Sequence, residues 1–274
     1  MDSKDMQVVG LCRFSYPALG GFQVQHETAE ARAAYLYDPA RIDDRFRMFE
    51  AFTLPALRAQ TDPDFTFVVV IGDDLPDAMR ARLESLLAGL PQAQIQAWPA
   101  GPHRDVMREA INAARDARSE PCLQFRMDDD DAVSIHFVER LRALAQECRP
   151  LLRHNPHVTF DFNTGWVASP GREGIRAAQV VETLWTPALA MSAKGKHRNT
   201  IMNFGHTRLG RFMPVVSMPT PHMFLRGHND HNDSRQKENI RRFKLEPLDA
   251  EGEALFQSEF NVDSDKVRAL YARR

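Results

Sequence analysis

Cysteine is scarce in this sequence. Cys12, Cys122 and Cys148 are far apart, odd in number and without CxxC spacing, which argues against a disulfide framework or a thiolate zinc site and for a reducing compartment. Neither sign of charge is in excess. Lys and Arg number 35 against 37 Asp and Glu, a formal net charge of -2, so there is no electrostatic basis for binding nucleic acid. Long apolar runs are missing too. The longest near the middle, residues 65–71, falls far short of the roughly 20 residues that span a bilayer. The opening MDSKDMQ has no signal-peptide core. A soluble, cytoplasmic protein without a transmembrane segment is expected, with peripheral membrane contact left open. No GxxxxGK[ST] occurs, which excludes a P-loop; "LGGFQ" at 19–23 is not GxGxxG; and no GxSxG elbow appears.

What is present is ordinary globular material: 43% hydrophobic over 274 residues, enough for one large domain or two small ones. The first half alternates strand and helix signals. "QVVGLCRF" predicts a strand, residues 41–60 a helix, "DFTFVVVIGDD" a buried strand, and Pro76 the start of a helix over 77–89. "AQIQAW" predicts a strand, 103–118 a helix, "CLQFRM" a strand and 135–149 a helix. Alternation at this spacing means a mostly parallel α/β sheet. Beyond residue 150 the pattern loosens. "HVTFDFNTGWVAS" reads as a strand with a turn and 172–194 as partly helical. "KGKHRNTIMNFGHTRLGRF" is basic and irregular, and a Pro-bounded strand precedes "RGHNDHNDS". With no repeat, low-complexity tract or linker, the simplest organisation is one domain over 1–274: a regular part, 7–134, a specialised part, 135–240, and a charged, helical tail, 241–274.

The densest chemistry is "FRMDDDD", 125–131. Four adjacent carboxylates repel one another unless a positive group sits among them. They follow a strand, and in open α/β sheets the carboxyl edge is where ligands bind. An Asp-x-Asp unit there suits Mg2+ or Mn2+, with phosphate and water oxygens completing the shell at about 2.0–2.2 Å. The competing reading is a solvated turn capping helix 135–149. A cap needs one acid or two, and four after a buried strand favour the cation. An EF-hand fails, because Ala132 and Val133 stand where that loop needs an oxygen ligand and a Gly.

Three further stretches are candidates. "GDDLP" ends the second parallel strand, and Asp73 or Asp74 could accept from a nucleobase N–H; helix capping is the alternative. In "RGHNDHNDS", His228 and His231 stand three apart, as metal ligands can; His228, nearest the strand end, is the better candidate to complete a metal site, against a polar surface loop. "KGKHR" offers Lys196 and Arg198 to a diphosphate, and Arg13, with Phe14 and Tyr16 behind it, could bound a nucleotide pocket. A solvated loop and core packing explain these equally well.

Together "RFSYP", "FTLPALRAQTDPDF", "FRMDDDDAV" and "FLRGHNDHNDS", spread over roughly residues 7–235, resemble GT-A fold glycosyltransferases, and among them a group of bacterial proteins described as rhamnosyltransferases. The resemblance implies a Rossmann-like, mostly parallel sheet flanked by helices, with 7–134 binding a nucleotide sugar and 135–240 the acceptor. It implies metal-dependent transfer of a sugar, rhamnose in the family name and so dTDP-rhamnose as a candidate donor, to a carbohydrate or glycolipid in polysaccharide biosynthesis. It maps Asp128 to the donor ribose or metal, Asp130 to the metal with Asp131 beside it, Asp73 to the base, and His228 to the last metal position. Inverting members need a proton acceptor; Asp161, Glu182 and His206 are the candidates, and no one of them aligns with the family pattern. The rival readings are a nucleotidyl- or phosphotransferase using the same acids, which lacks its usual phosphate loop here; a nucleotide-sugar binder without turnover; and a zinc hydrolase built on His228 and His231.

Overall fold

The computed structural model describes residues 5–20, 28–116, 121–195, 197–228 and 243–272. In chain order the N-terminal elements are β1 (Val8–Arg13), α1 (Ala29–Leu36), α2 (Pro39–Met48), a π-helical turn (Phe49–Thr53), α3 (Leu54–Arg58), β2 (Thr66–Gly72), α4 (Asp77–Leu87), β3 (Ala93–Trp98), α5 (His103–Ala114) and β4 (Cys122–Asp128). The rest are β5 (Ala132–Val133), α6 (Phe137–Glu147), α7 (Arg149–His154), β6 (His157–Phe162), β7 (Thr164–Gly171), β8 (Gly174–Val181), β9 (Leu189–Ala193), β10 (Val215–Met218), β11 (Phe224–Gly227), β12 (Glu246–Pro247), α8 (Ala250–Phe260) and α9 (Ser264–Ala272).

Seven strands form the central sheet in the order β10-β6-β9-β4-β1-β2-β3. Every pairing is parallel except those of β9, which runs antiparallel to β4 and β6. The reason lies in the strands' composition. Along β2, Phe67, Val69 and Ile71 enter one core cluster while Val68 and Val70 enter another. Both faces are therefore buried, and the strand reads as a continuous apolar run. Phe46, Leu83 and Leu141 of α2, α4 and α6 cover one face; Met107 and Ile111 of α5 cover the other. The α/β class and the mostly parallel, helix-flanked sheet are as the sequence predicts.

A second sheet, β12-β8-β7-β11-β5, stands beside the first. The tail packs on it as helices: Phe256, Phe260 and Val267 bury against Ala168, Ile175 and Leu225. The helical reading of 172–194 is corrected, since β8 and β9 occupy that stretch. Arg176, Gln179 and Ala178 favour helices in isolation, but β7 pairs with β8 over eight residue pairs, from Thr164↔Val181 to Gly171↔Gly174, and this pairing overrides local preference. Among the described residues no helix is long and apolar enough to cross a membrane.

Candidate functional site

Because β1, β2, β3, β4 and β6 share one direction, their carboxyl ends form a common edge. Arg13 closes β1 in register with Asp128, the last residue of β4, and the two side chains lie 3.8 Å apart. Asp73 follows β2 on the same edge and is exposed. Its neighbour Asp74 accepts a 2.7 Å hydrogen bond from the Tyr37 hydroxyl, so the two acids of "GDDLP" separate.

The four aspartates separate as well. Arg45, reaching in from α2, ion-pairs with Asp129 and donates to Asp130 Oδ2 at 2.9 Å. Asp131 is held by two backbone amides: Gly227 N–H donates to Oδ1 and Asp128 N–H to Oδ2, each at 3.2 Å. Thr53 steadies the turn from below, its hydroxyl donating to the carbonyls of Asp129 at 3.2 Å and Asp131 at 2.7 Å. Asp128, with a side chain 40% exposed, is the open member. One oxygen each from Asp128, Asp130 and Asp131 lies within 4.8 Å of the other two. Burial pushes the carboxyls of Asp130 and Asp131 up, and the neighbouring acids push further in the same direction. Carboxylates that repel while converging are the donor set a hard divalent cation takes. On that chemistry the residues fit Mg2+ or Mn2+.

Cations ring the cluster. Arg126 lies two residues before Asp128 on β4, so both side chains project to the same face. Burial lowers its pKa to about 10, with Arg104 and Arg13 adding to the fall and Asp128 opposing it. Arg226 lies over the Trp185 ring at 4.2 Å, next to Gly227 in β11. His103 starts α5, and Arg13 Nη1 is 3.4 Å from its Nε2. Arg13 can only donate, so Nε2 accepts and the ring is neutral. Burial, with Arg13 and Arg126 nearby, holds its pKa down at about 3. His206 Nδ1 is 2.9 Å from the Leu184 carbonyl oxygen. Contacts thus lead from Asp131 to Gly227, from its neighbour Arg226 to Trp185, and from Leu184, next to Trp185, to His206; the charges of Arg126 and Asp128 are felt at His206.

None of the remaining sequence candidates among the described residues joins the group of converging carboxylate oxygens. His228 is not part of the carboxylate cluster. Its amide pairs with the Ala168 carbonyl at 2.8 Å, and it lines a 710 Å³ cavity with Asp43, Asp44, Ser169 and Tyr271. The Arg198 carbonyl accepts from Asn112 Nδ2 at 3.0 Å, near the C-terminal end of α5. Because α5 runs back from the carboxyl edge, this places the Arg198 backbone at the opposite edge of the sheet from Asp128. Lys196 and His231 lie outside the described residues. Asp161 is buried near the end of β6 and has both oxygens engaged, by Leu184 N–H at 3.0 Å and the Ser217 hydroxyl at 2.7 Å. The Glu182 amide donates to the Asn163 carbonyl at 2.7 Å, beyond the end of β6. That strand is separated from β4 by β9, roughly 10 Å at the usual strand spacing.

Arg45, Arg126, His103 and Arg226 are site residues that the sequence reading passed over. One signal was available for Arg45. Arg41 and Arg45 stand four apart on a helix whose buried face also carries Ile42 and Phe46, and charge on an apolar face calls for a buried partner.

The family model described as "Putative rhamnosyl transferase" matches residues 7–241. The chain belongs to that family. As a member of this glycosyltransferase family, it carries the Asp128–Asp131 run and the Arg13 strand end inside the matched span. No curated protein sequence matches it. Among solved structures, it is similar to S. aureus TarS 1-349 in complex with UDP-GlcNAc, at 10% identity and a TM-score of 0.47, over 83% of this chain and 60% of that one. The corresponding UDP complex gives 10%, 0.45, 81% and 61%. A "putative nucleotide-diphospho-sugar transferase" from Desulfovibrio desulfuricans G20 gives 10%, 0.37, 82% and 82%. The chain thus spans 60–61% of the two TarS chains it matches.

Proposed function

We propose that this protein transfers a sugar from a nucleotide-sugar donor to a carbohydrate or glycolipid acceptor, with a divalent cation held by Asp128, Asp130 and Asp131. The observation that carries the reading is their convergence within 4.8 Å at the carboxyl end of β4, beside Arg13. The family suggests rhamnose, and dTDP-rhamnose is the donor to test first.

A bound Mn2+ or Mg2+ supplies charge neutralisation at a departing diphosphate. The rest falls to the chain. Arg45 and the Gly227 amide fix the carboxylates before any ligand arrives, so little reorganisation is needed at the moment of reaction. Arg126 and Arg226 flank the cluster with guanidinium groups suited to phosphate oxygens. Arg13 and Asp73, at the ends of neighbouring strands, are the residues this reading assigns to the nucleoside.

A thermal-shift screen of dTDP-rhamnose, UDP-GlcNAc and the bare nucleotides, with and without Mn2+, tests this. Stabilisation should require metal and nucleotide together. Asp130→Ala should remove it, and unchanged metal-dependent stabilisation in that variant would sink the metal reading.

A further inference from the structure

We propose that His206 is the catalytic residue that takes the acceptor's proton, an assignment that rests on the sugar-transfer reading and completes it. The geometry begins with its tautomer. The Leu184 carbonyl can only accept, so the 2.9 Å contact puts the ring proton on Nδ1 and leaves a lone pair on Nε2. Leu184 is itself held firmly. It has a left-handed backbone, φ 57°, uncommon for a side chain of that size. Its N–H donates to the buried Asp161, whose other oxygen accepts from Ser217. Asp161 thereby orients the imidazole through the backbone of a single residue, Leu184, and acts as a positioning residue.

The ring's surroundings suit the task. His206 is partly exposed at the start of a 3-10 turn, His206–Arg211. Burial, together with Arg126 and Arg226, holds its pKa below the ordinary histidine value, so the ring is neutral near pH 7. Of the carboxylates nearby, Asp129 and Asp130 are engaged by Arg45, Asp131 by two amides and Asp161 by Leu184 and Ser217, and Asp128, the open one, is the carboxylate assigned above to the cation.

The step balances simply. The acceptor hydroxyl oxygen bonds to the anomeric carbon as its proton passes to Nε2. The bond from that carbon to the phosphate oxygen breaks, and its electron pair leaves with the diphosphate. Imidazolium then returns the proton to solvent. A single displacement of this kind inverts the anomeric centre.

Two measurements on the full chain test the assignment. Nitrogen-15 NMR of the imidazoles without donor should show His206 neutral at pH 7 with the proton on Nδ1. A proton on Nε2, or a cationic ring, would overturn it. His206→Asn retains an N–H to offer Leu184 but lacks Nε2. It should bind Mn2+ as the parent does while turnover of dTDP-rhamnose falls about 10²- to 10⁴-fold. A loss of Mn2+ affinity of about 10–100-fold would instead make His206 a metal ligand. Turnover close to the parent's, or net retention at the anomeric carbon, would also remove it from this role. If the parent turns over neither dTDP-rhamnose nor UDP-GlcNAc, the transfer reading fails and the base role fails with it. The NMR result then separates that failure from a wrong choice of residue.

Discussion

The backbone N–H of Gly227 donates to Asp131 Oδ1 at 3.2 Å, tying the end of β11 to the acidic run 96 residues earlier. This one bond joins the second sheet to the carboxyl edge of the first. It also explains why a glycine stands there: a Cβ on residue 227 would overlap the Asp130 carbonyl oxygen and press on Met48 Cε.

Gly227→Ala should therefore displace the carboxylates. The expected cost is about 1–3 kcal/mol for forcing atoms into a packed site, read by urea denaturation, with Mn2+ affinity lowered in the same variant. An unchanged Mn2+ affinity would show that the strand end does not position the cluster.

Arg45→Met should cost about 3–5 kcal/mol, the usual penalty for leaving buried charges without their partner. Both Asp129 and Asp130 lose their guanidinium, and both are almost wholly inaccessible. Adding Asp129→Asn should recover part of the loss. A double-mutant cycle that sums without coupling would show that the pair is energetically idle.

Asp130→Asn has the opposite sign for the free protein. Burial and the Asp128 charge raise the Asp130 carboxyl while Arg45 opposes them, so the ionised form carries a net penalty in the fold. The metal-free variant should melt at or above the parent's temperature, yet show no Mn2+-dependent shift. A metal-free Tm that drops by several degrees would show that Arg45 outweighs the repulsion.

His103 gives a pH dependence with a definite direction. Its folded pKa, about 3, lies below the unfolded value near 6.5. Below pH 6.5 the unfolded chain takes up a proton that the folded chain refuses, so stability falls as pH drops, down to about pH 3. Between pH 7 and pH 5 this group alone should contribute a loss on the order of 1–2 kcal/mol. His103→Gln should reduce the slope of unfolding free energy over that window. The residues facing the ring, Arg13, Arg126, Arg104 and Asp128, remain in the variant. An identical slope would show that the ring titrates normally in the folded state.

Much of this architecture was legible beforehand because strands buried on both faces announce themselves. The run at 66–72 carries its apolar residues without interruption, and the acids that follow mark where it ends. Asp128, Asp130 and Asp131 were legible for the same reason: position after a strand fixes position on the sheet edge. Residues 172–194 misled because Arg, Ala and Gln carry helix preference, and the pairing that overrode it comes from β7.

By itself, the sequence determined the parallel strands β1 to β4 and the acidic edge, since hydrophobic periodicity and strand ends are local properties; the antiparallel β9, inside the stretch read as partly helical, was set by its pairing with β4 and β6. Tertiary structure decided which charges meet. Arg45 reaches Asp130 across 85 positions, and His206 meets Leu184 across 22. It also set His228 on a cavity with Asp43, Asp44 and Tyr271, outside the group of converging carboxylate oxygens, and placed the Arg198 backbone at the far edge. Such contacts depend on how the elements stack, and spacing along the chain carries no record of that.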